Sequence, residues 1–197
     1  DTVVNPLFLD ELVKVGEMRS EVSMLSPFIY YYSEPNTIWF NKGVIRWSRC
    51  SIASHSNVQT DLSYLQSDYL SGCALLIKQE ALLQVGLLDS SYFLYFEDVD
   101  YSVRMRRAGY EIVTVRESKV YHKVSRTTNR LFKANSVYYT HRNRIWFTLK
   151  YCPKGLLCIA LINILTRSMC AFCYYETVRA HPCALAVING LKEGFRW

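Results

Sequence analysis

An α/β fold with a mixed sheet, flanking helices and an apolar helical tail is what this sequence predicts, and three observations carry it. Short runs of strand-type residues alternate with helix-type segments as far as Tyr121. Half of the 197 residues are hydrophobic, enough for a sizeable core in one domain or one large piece of one. From Lys154 onward the chain is strongly apolar at helical spacing.

The elements follow in order. Residues 6–15 (PLFLDELVKV) place Leu7, Phe8, Leu12 and Val15 at amphipathic spacing, with Pro6 at a first turn and Gly16 just past the end. Residues 17–27 alternate loosely and 28–32 read as a strand, closed by the turn Ser33-Glu34-Pro35-Asn36. Residues 37–40 and 44–49 flank Asn41-Lys42-Gly43, a hairpin signal. The polar stretch 50–66, with His55 in it, reads as a loop able to order on a ligand. Residues 69–77 (YLSGCALLI) predict a buried strand whose glycine admits a close neighbour. A short helix over 78–85 ends at Gly86, and a second runs from Glu97 to Ala108 with Gly109 as its stop. Residues 111–115 and 119–121 read as short strands, 125–130 as a polar loop and 131–151 as a long helix mixing basic and aromatic residues. Residues 154–175 fall short of a clean spanning run because Asn163, Thr166 and Arg167 interrupt them, which leaves a buried helix or one lying in a membrane interface. Residues 182–197 form a shorter amphipathic helix with a basic end.

Composition narrows the partners. A net charge of +6 suits an anionic partner: phosphate, nucleic acid or an acidic membrane surface. Fifteen tyrosines suit carbohydrate or nucleotide stacking as well as a Tyr-rich core, and both readings stand on composition alone. Seven cysteines include one CxxC, Cys170 and Cys173, without the second pair or histidines that zinc would want. Most therefore read as buried thiols in a reducing compartment. No signal peptide is visible, and an opening on Asp-Thr-Val-Val without methionine looks like a cut inside a longer protein.

Chemistry concentrates in residues 92–110 (YFLYFEDVDYSVRMRRAGY), where Glu97, Asp98 and Asp100 fall within four positions straight after an aromatic run. At a helix start, carboxylates face free backbone N–H groups and the positive end of the dipole. Asp100 and Arg104, four apart, can pair on one face. Ordinary capping acids would look the same, so this cluster does not decide function by itself.

The wider pattern does more. Gly72, then VGLLDSSYFLYFEDVDYSVRMRRAGYEIVTVRESKVYHK, then YYTHRNRIWF, resembles the C-terminal half of the inverting family 2 glycosyltransferases of GT-A fold, the rhamnosyltransferase-like members above all. The resemblance covers about residues 1–150, the acceptor-side part of a GT-A domain, and leaves 151–197 as an apolar and amphipathic tail. It implies a partial GT-A fold and inverting transfer of a sugar, rhamnose among the candidates, from a nucleotide-diphosphate donor to an acceptor hydroxyl in cell-surface polysaccharide synthesis. Asp98 matches the general base and Glu97 a residue that orients it or binds the acceptor. Asp1 matches the last acid of an Asp-x-Asp-like metal motif and His122 a metal-ligand position, which implies a divalent cation, Mg²⁺ or Mn²⁺. Asp68, Gly72, Trp47, Asp100 and Arg104 match acceptor-side positions, although Asp100 and Arg104 read equally as a helix brace. Trp39 and the loop around His55 belong to the same variable region. Arg142 and Asn143 match a pair placed to reach phosphate or lipid.

The expected partners are a nucleotide-sugar donor and a saccharide or lipid-linked saccharide acceptor, with peripheral membrane contact, no nucleic acid, and a place in the cytoplasm at the inner face of the cell membrane. The donor-side strands that relatives carry before this point are absent, so this piece alone is expected to be inactive. Two rivals remain: a basic, Tyr-rich module for nucleic acid, against which the acidic cluster speaks, and a truncated non-catalytic interaction module.

Overall fold

The computed structural model describes residues 2–49, 51–55, 62–123 and 130–196. They fall into two compact units. The first comprises residues 1–45, 52–88 and 98–125, and the second 46–51, 89–97 and 126–197.

The first unit is the expected mixed sheet with helices against it. Its elements are β1 (Thr2–Val4), α1 (Phe8–Met18), β2 (Val22–Tyr31), β3 (Ile38–Phe40), β4 (Lys42–Arg46), β5 (Ser51–His55), β6 (Tyr64–Gln66), β7 (Leu76–Ile77), α2 (Gln79–Val85), α3 (Glu97–Arg107) and β8 (Glu111–His122). β2 and β8 run parallel at the centre; β1 and β6 pair antiparallel with β8, and β3 and β7 with β2. β2 is buried along most of its length, as a central strand covered on both faces must be.

Alternation then divides the core. Leu25, Val113 and Val115 point to α1, where Leu12 and Val15 meet them. Their neighbours Met24 and Ile112 point the other way, to Tyr101 and Met105 of α3 and Ala81 of α2.

Several sequence expectations are corrected. α1 runs through Gly16, which is buried, and ends at Met18. Residues 37–49 do not form a hairpin: β3 joins β2, while β4 pairs with β5 in a separate two-stranded sheet. The polar stretch 50–66 contains the strands β5 and β6, and residues 56–61 lie outside the described residues. The two short strands at 111–121 are one twelve-residue strand, which takes a register shift against Pro27 and Phe28. Of the strand expected over 69–77, only Leu76 and Ile77 pair. The backbone upstream spends its donors elsewhere: Leu70 N–H donates to Ser102 Oγ at 3.1 Å and Gly72 N–H to Asp98 Oδ2 at 2.9 Å.

The second unit contains α4 (Arg130–Tyr151), α5 (Lys154–Thr177) and α6 (His181–Gly194). Val137 of α4 packs with Cys183, Ala186 and Val187 of α6, and Ile145 of α4 with Ala160 and Ile164 of α5. α4 and α6 approach closely because Gly190 leaves room: a Cβ there would lie 2.6 Å from the Tyr138 carbonyl oxygen. This packing places α4 in the helical unit together with α5 and α6. The polar loop expected at 125–130 falls almost wholly outside the described residues.

The cysteines are also redistributed. Cys183 is buried, but Cys158, Cys170 and Cys173 are exposed, and all the described cysteines are free thiols.

Candidate active site

The first unit brings the start of α3 against the loop 67–75. α3 forms where the sequence predicts and ends where glycine lets it: Gly109 takes φ +92°, its N–H donates to Arg106 O, and Tyr110 N–H donates to Met105 O. That stop fixes the register of the helix and hence what its first turn presents.

Asp98 is the focus. Its Oδ2 accepts from Gly72 N–H at 2.9 Å and its Oδ1 from its neighbour Val99 N–H at 2.8 Å. Asp98 is half-buried, and the residue that donates to it, Gly72, is exposed. A Cβ on residue 72 would already touch Asp98 Cβ at 3.4 Å. Burial pushes the Asp98 carboxyl above the ordinary carboxylate range, and the backbone N–H bonds oppose that rise. A carboxylate made more basic by burial, and still reachable, is suited to taking a proton.

Two neighbours shape it. Tyr69 is buried, and burial together with the nearby Asp98 charge drives its phenol far above the ordinary range, so it stays neutral. Ser102, one turn further along α3, donates to Asp98 O at 2.7 Å and accepts from Leu70 N–H, tying the helix to the loop. Neither residue stood out in the sequence. The signal for Ser102 was its i+4 spacing from Asp98, which shares a helix face. Cys73 beside Gly72 is no nucleophile, because burial pushes its thiol up to about 11.

The other expected residues fall into different places. Asp100 is fully buried and paired with Arg104 at 2.8 Å, and Arg104 also donates to the carbonyls of Val85 and Leu87. This pair braces α3 to the chain after α2 rather than facing an acceptor. Asp68 accepts from Ile45 N–H at 3.0 Å and pairs with Arg106 at 3.0 Å, beside a cavity of about 510 Å³ lined also by Lys42, Gln66 and Glu111. Burial lowers the pKa of His122, favouring the neutral imidazole, and the ring packs edge-on against Trp39 at 4.7 Å. Its backbone pairs with Thr2, the residue after Asp1. Asp1 itself lies outside the described residues, and among those described no cluster of three or more His, Cys, Asp or Glu is placed to hold a metal.

The second unit holds the aromatic run that leads into Glu97, itself half-buried at the helix start. Phe93, Tyr95 and Phe96 have φ of 57°, 65° and 72°, a backbone that costs on the order of 1–3 kcal/mol per residue when the side chain is not glycine. α4 holds it. The Asn143 amide donates to the carbonyls of Tyr92, Leu94 and Tyr95 at 2.8–2.9 Å. Arg142 donates to Ser91 O at 2.7 Å and Tyr92 O at 3.1 Å, donates to Asn143 Oδ1, and lies 4.0 Å from the Trp146 ring centroid. Asn143 is fully buried, so the expected contact of this pair with phosphate or lipid gives way to a clamp on the loop. Trp47, expected to face an acceptor, stacks on Phe147 with ring centroids 5.6 Å apart and planes within 5°.

Residues 1–188 match the family described as glycosyl transferase family group 2. The chain is 42% identical over 62 residues to the N-acetylglucosaminyl-diphospho-decaprenol L-rhamnosyltransferases of two Mycobacterium tuberculosis strains. That stretch is 32% of this chain and 20% of each relative. A match over nearly the whole chain, on a mixed sheet that presents an acid at a helix start, means that the chain belongs to glycosyl transferase family group 2.

Proposed function

We propose that this chain forms the acceptor side of an inverting glycosyltransferase that moves a sugar from a nucleotide-diphosphate donor to an acceptor hydroxyl. The observation that carries the proposal is the Asp98 carboxylate: half-buried, made more basic by burial, and fixed by the Gly72 and Val99 N–H groups.

Asp98 accepts the proton of the acceptor hydroxyl as that oxygen attacks the anomeric carbon. The bond to the diphosphate breaks on the opposite face, and the nucleoside diphosphate leaves with the electron pair. Fixed N–H bonds keep the carboxylate aimed without reorganisation during the step. Glu97, next along the chain, orients the acceptor. A divalent cation, Mg²⁺ or Mn²⁺, would supply charge neutralisation at the departing diphosphate, with Asp1 and His122 as its protein ligands. A neutral His122, with its backbone paired to the residue after Asp1, fits that role. Rhamnose as the transferred sugar and a lipid-linked saccharide as acceptor are supported by the activity for which the mycobacterial relatives are named, and a role in cell-surface polysaccharide synthesis is part of the same proposal.

Asp98→Asn in the full-length protein tests the assignment. It removes the proton acceptor, keeps the shape, and should lower transfer by at least about 10²-fold while donor binding persists. Unchanged turnover would overturn the base assignment.

A further inference from the structure

α5 is apolar on the side it packs and on the side it does not. Ala160, Ile164 and Ser168 are buried, with His141 Nδ1 of α4 2.9 Å from Ser168 Oγ. On the outward side Ile159, Ile162, Leu165 and Met169 are 47–63% exposed. The exposed thiols Cys158, Cys170 and Cys173 extend the same surface, and Lys154 and Arg167 of the same helix are exposed as well.

The polar side chains along α5 are turned back on backbone. Asn163 donates its amide to Ile159 O at 2.9 Å and to Ser48 O at 3.2 Å, and the Thr166 hydroxyl donates to Ile162 O. Satisfied in this way, they lower the cost of leaving water.

Charge is divided between the units. The second carries 13 Lys and Arg against four Asp and Glu, a formal +9, while the first carries 10 against 13, a formal −3. Lys133, Lys154, Arg167, Arg179 and Lys192 of the helical unit are exposed.

We infer that the outward face of α5 docks flat on an anionic lipid bilayer, its apolar side chains entering the headgroup boundary and the surrounding lysines and arginines meeting lipid phosphates. The helix is long and apolar enough to cross a membrane by length and composition. Its inward face, however, is committed to α4 and α6, which carry Arg142, Arg144, Lys192 and Glu193 and cannot follow it into hydrocarbon. An interfacial helix satisfies both faces.

This inference deepens the transferase reading, since it would hold the protein where a lipid-linked acceptor lies, and it can be tested apart from it. Full-length protein is sedimented with phosphatidylglycerol–phosphatidylcholine vesicles and with phosphatidylcholine vesicles alone. Binding should favour the anionic vesicles, weaken as salt rises, and fall at least about tenfold in the Ile162→Glu/Met169→Glu double variant. Protection of Cys158, Cys170 and Cys173 from a water-soluble maleimide on vesicle addition gives the same readout on the unaltered protein. Asp98→Asn should bind vesicles like the wild type; if it does and transfer still persists, the base assignment fails while docking stands. Equal binding by the double variant, or unchanged thiol labelling on anionic vesicles, overturns the inference. So does a wild-type dimer that the double variant abolishes, which would mean that a second copy covers this face.

Discussion

Two loops precede α3 in sequence, and they are built on opposite principles. In the loop 67–75 the backbone donates to side chains: Gly72 N–H to Asp98 and Leu70 N–H to Ser102. In the loop 89–96 side chains donate to backbone: Asn143 and Arg142 serve the carbonyls of Ser91, Tyr92, Leu94 and Tyr95. The first arrangement acts on the electrostatics of one carboxylate. The second acts on geometry, holding three non-glycine residues at positive φ. One loop tunes the acid; the other holds the strained entry to its helix.

Breaking the second arrangement should cost most. Asn143→Leu leaves the Leu94 and Tyr95 carbonyls of a strained loop without their side-chain donor, removes one of two from Tyr92, and should destabilise the protein by roughly 3–5 kcal/mol, read from the urea midpoint. A loss below about 1 kcal/mol would mean that the loop holds its shape without the clamp.

The helical unit also predicts a pH effect. Burial lowers His141, bonded to Ser168, to about 4. The unfolded chain, with an ordinary histidine near 6.5, therefore binds the proton first. Stability should be intact above 6.5, fall as pH drops through 6.5 toward about 4 by up to ~1.4 kcal/mol per unit, and lose that slope in His141→Gln. Urea midpoints measured across that window in both proteins decide it.

The smallest change aims at the first loop. A Cβ on residue 43 would lie 2.2 Å from the Tyr69 carbonyl oxygen, so Gly43→Ala must displace the start of that loop. It should cost roughly 1–3 kcal/mol and lower transfer, while leaving the pH slope of the helical unit in place. Wild-type stability in this variant would show that the two segments part freely.

How legible all this was in the sequence depends on how far apart the partners lie. α3 could be read directly, because its acids, its basic end and Gly109 are local signals. Apolar runs marked the end of β2 and two pieces of β8, but neither the start of β2 at Val22 nor the continuity of β8. The misreadings share one cause. Residues 69–77 look like a strand because they are apolar, but the partners of Leu70 and Gly72 lie 32 and 26 residues away on α3. Residues 37–49 look like a hairpin because a turn signal is local, whereas the choice of β2 as partner for β3 is not. Arg142 and Asn143 match a pair placed to reach phosphate or lipid, and nothing near them in sequence reveals that their acceptors are carbonyls of residues 91–95. Asp98 was legible as an acid in a motif; its bond to Gly72 turns that motif into a local geometry.

The clamp has a consequence for the order of assembly. Its donors lie 48 to 51 residues after the carbonyls they hold, so the loop cannot be secured until α4 has been synthesised and has coiled. A nascent chain that has emerged only as far as β8 would already contain every acid of the cluster and the glycine that meets Asp98. The aromatic entry to them would still be unpinned, free to relax toward ordinary negative φ. Pinning that loop is then one of the last acts of folding, timed by a helix that contributes no acid to the cluster.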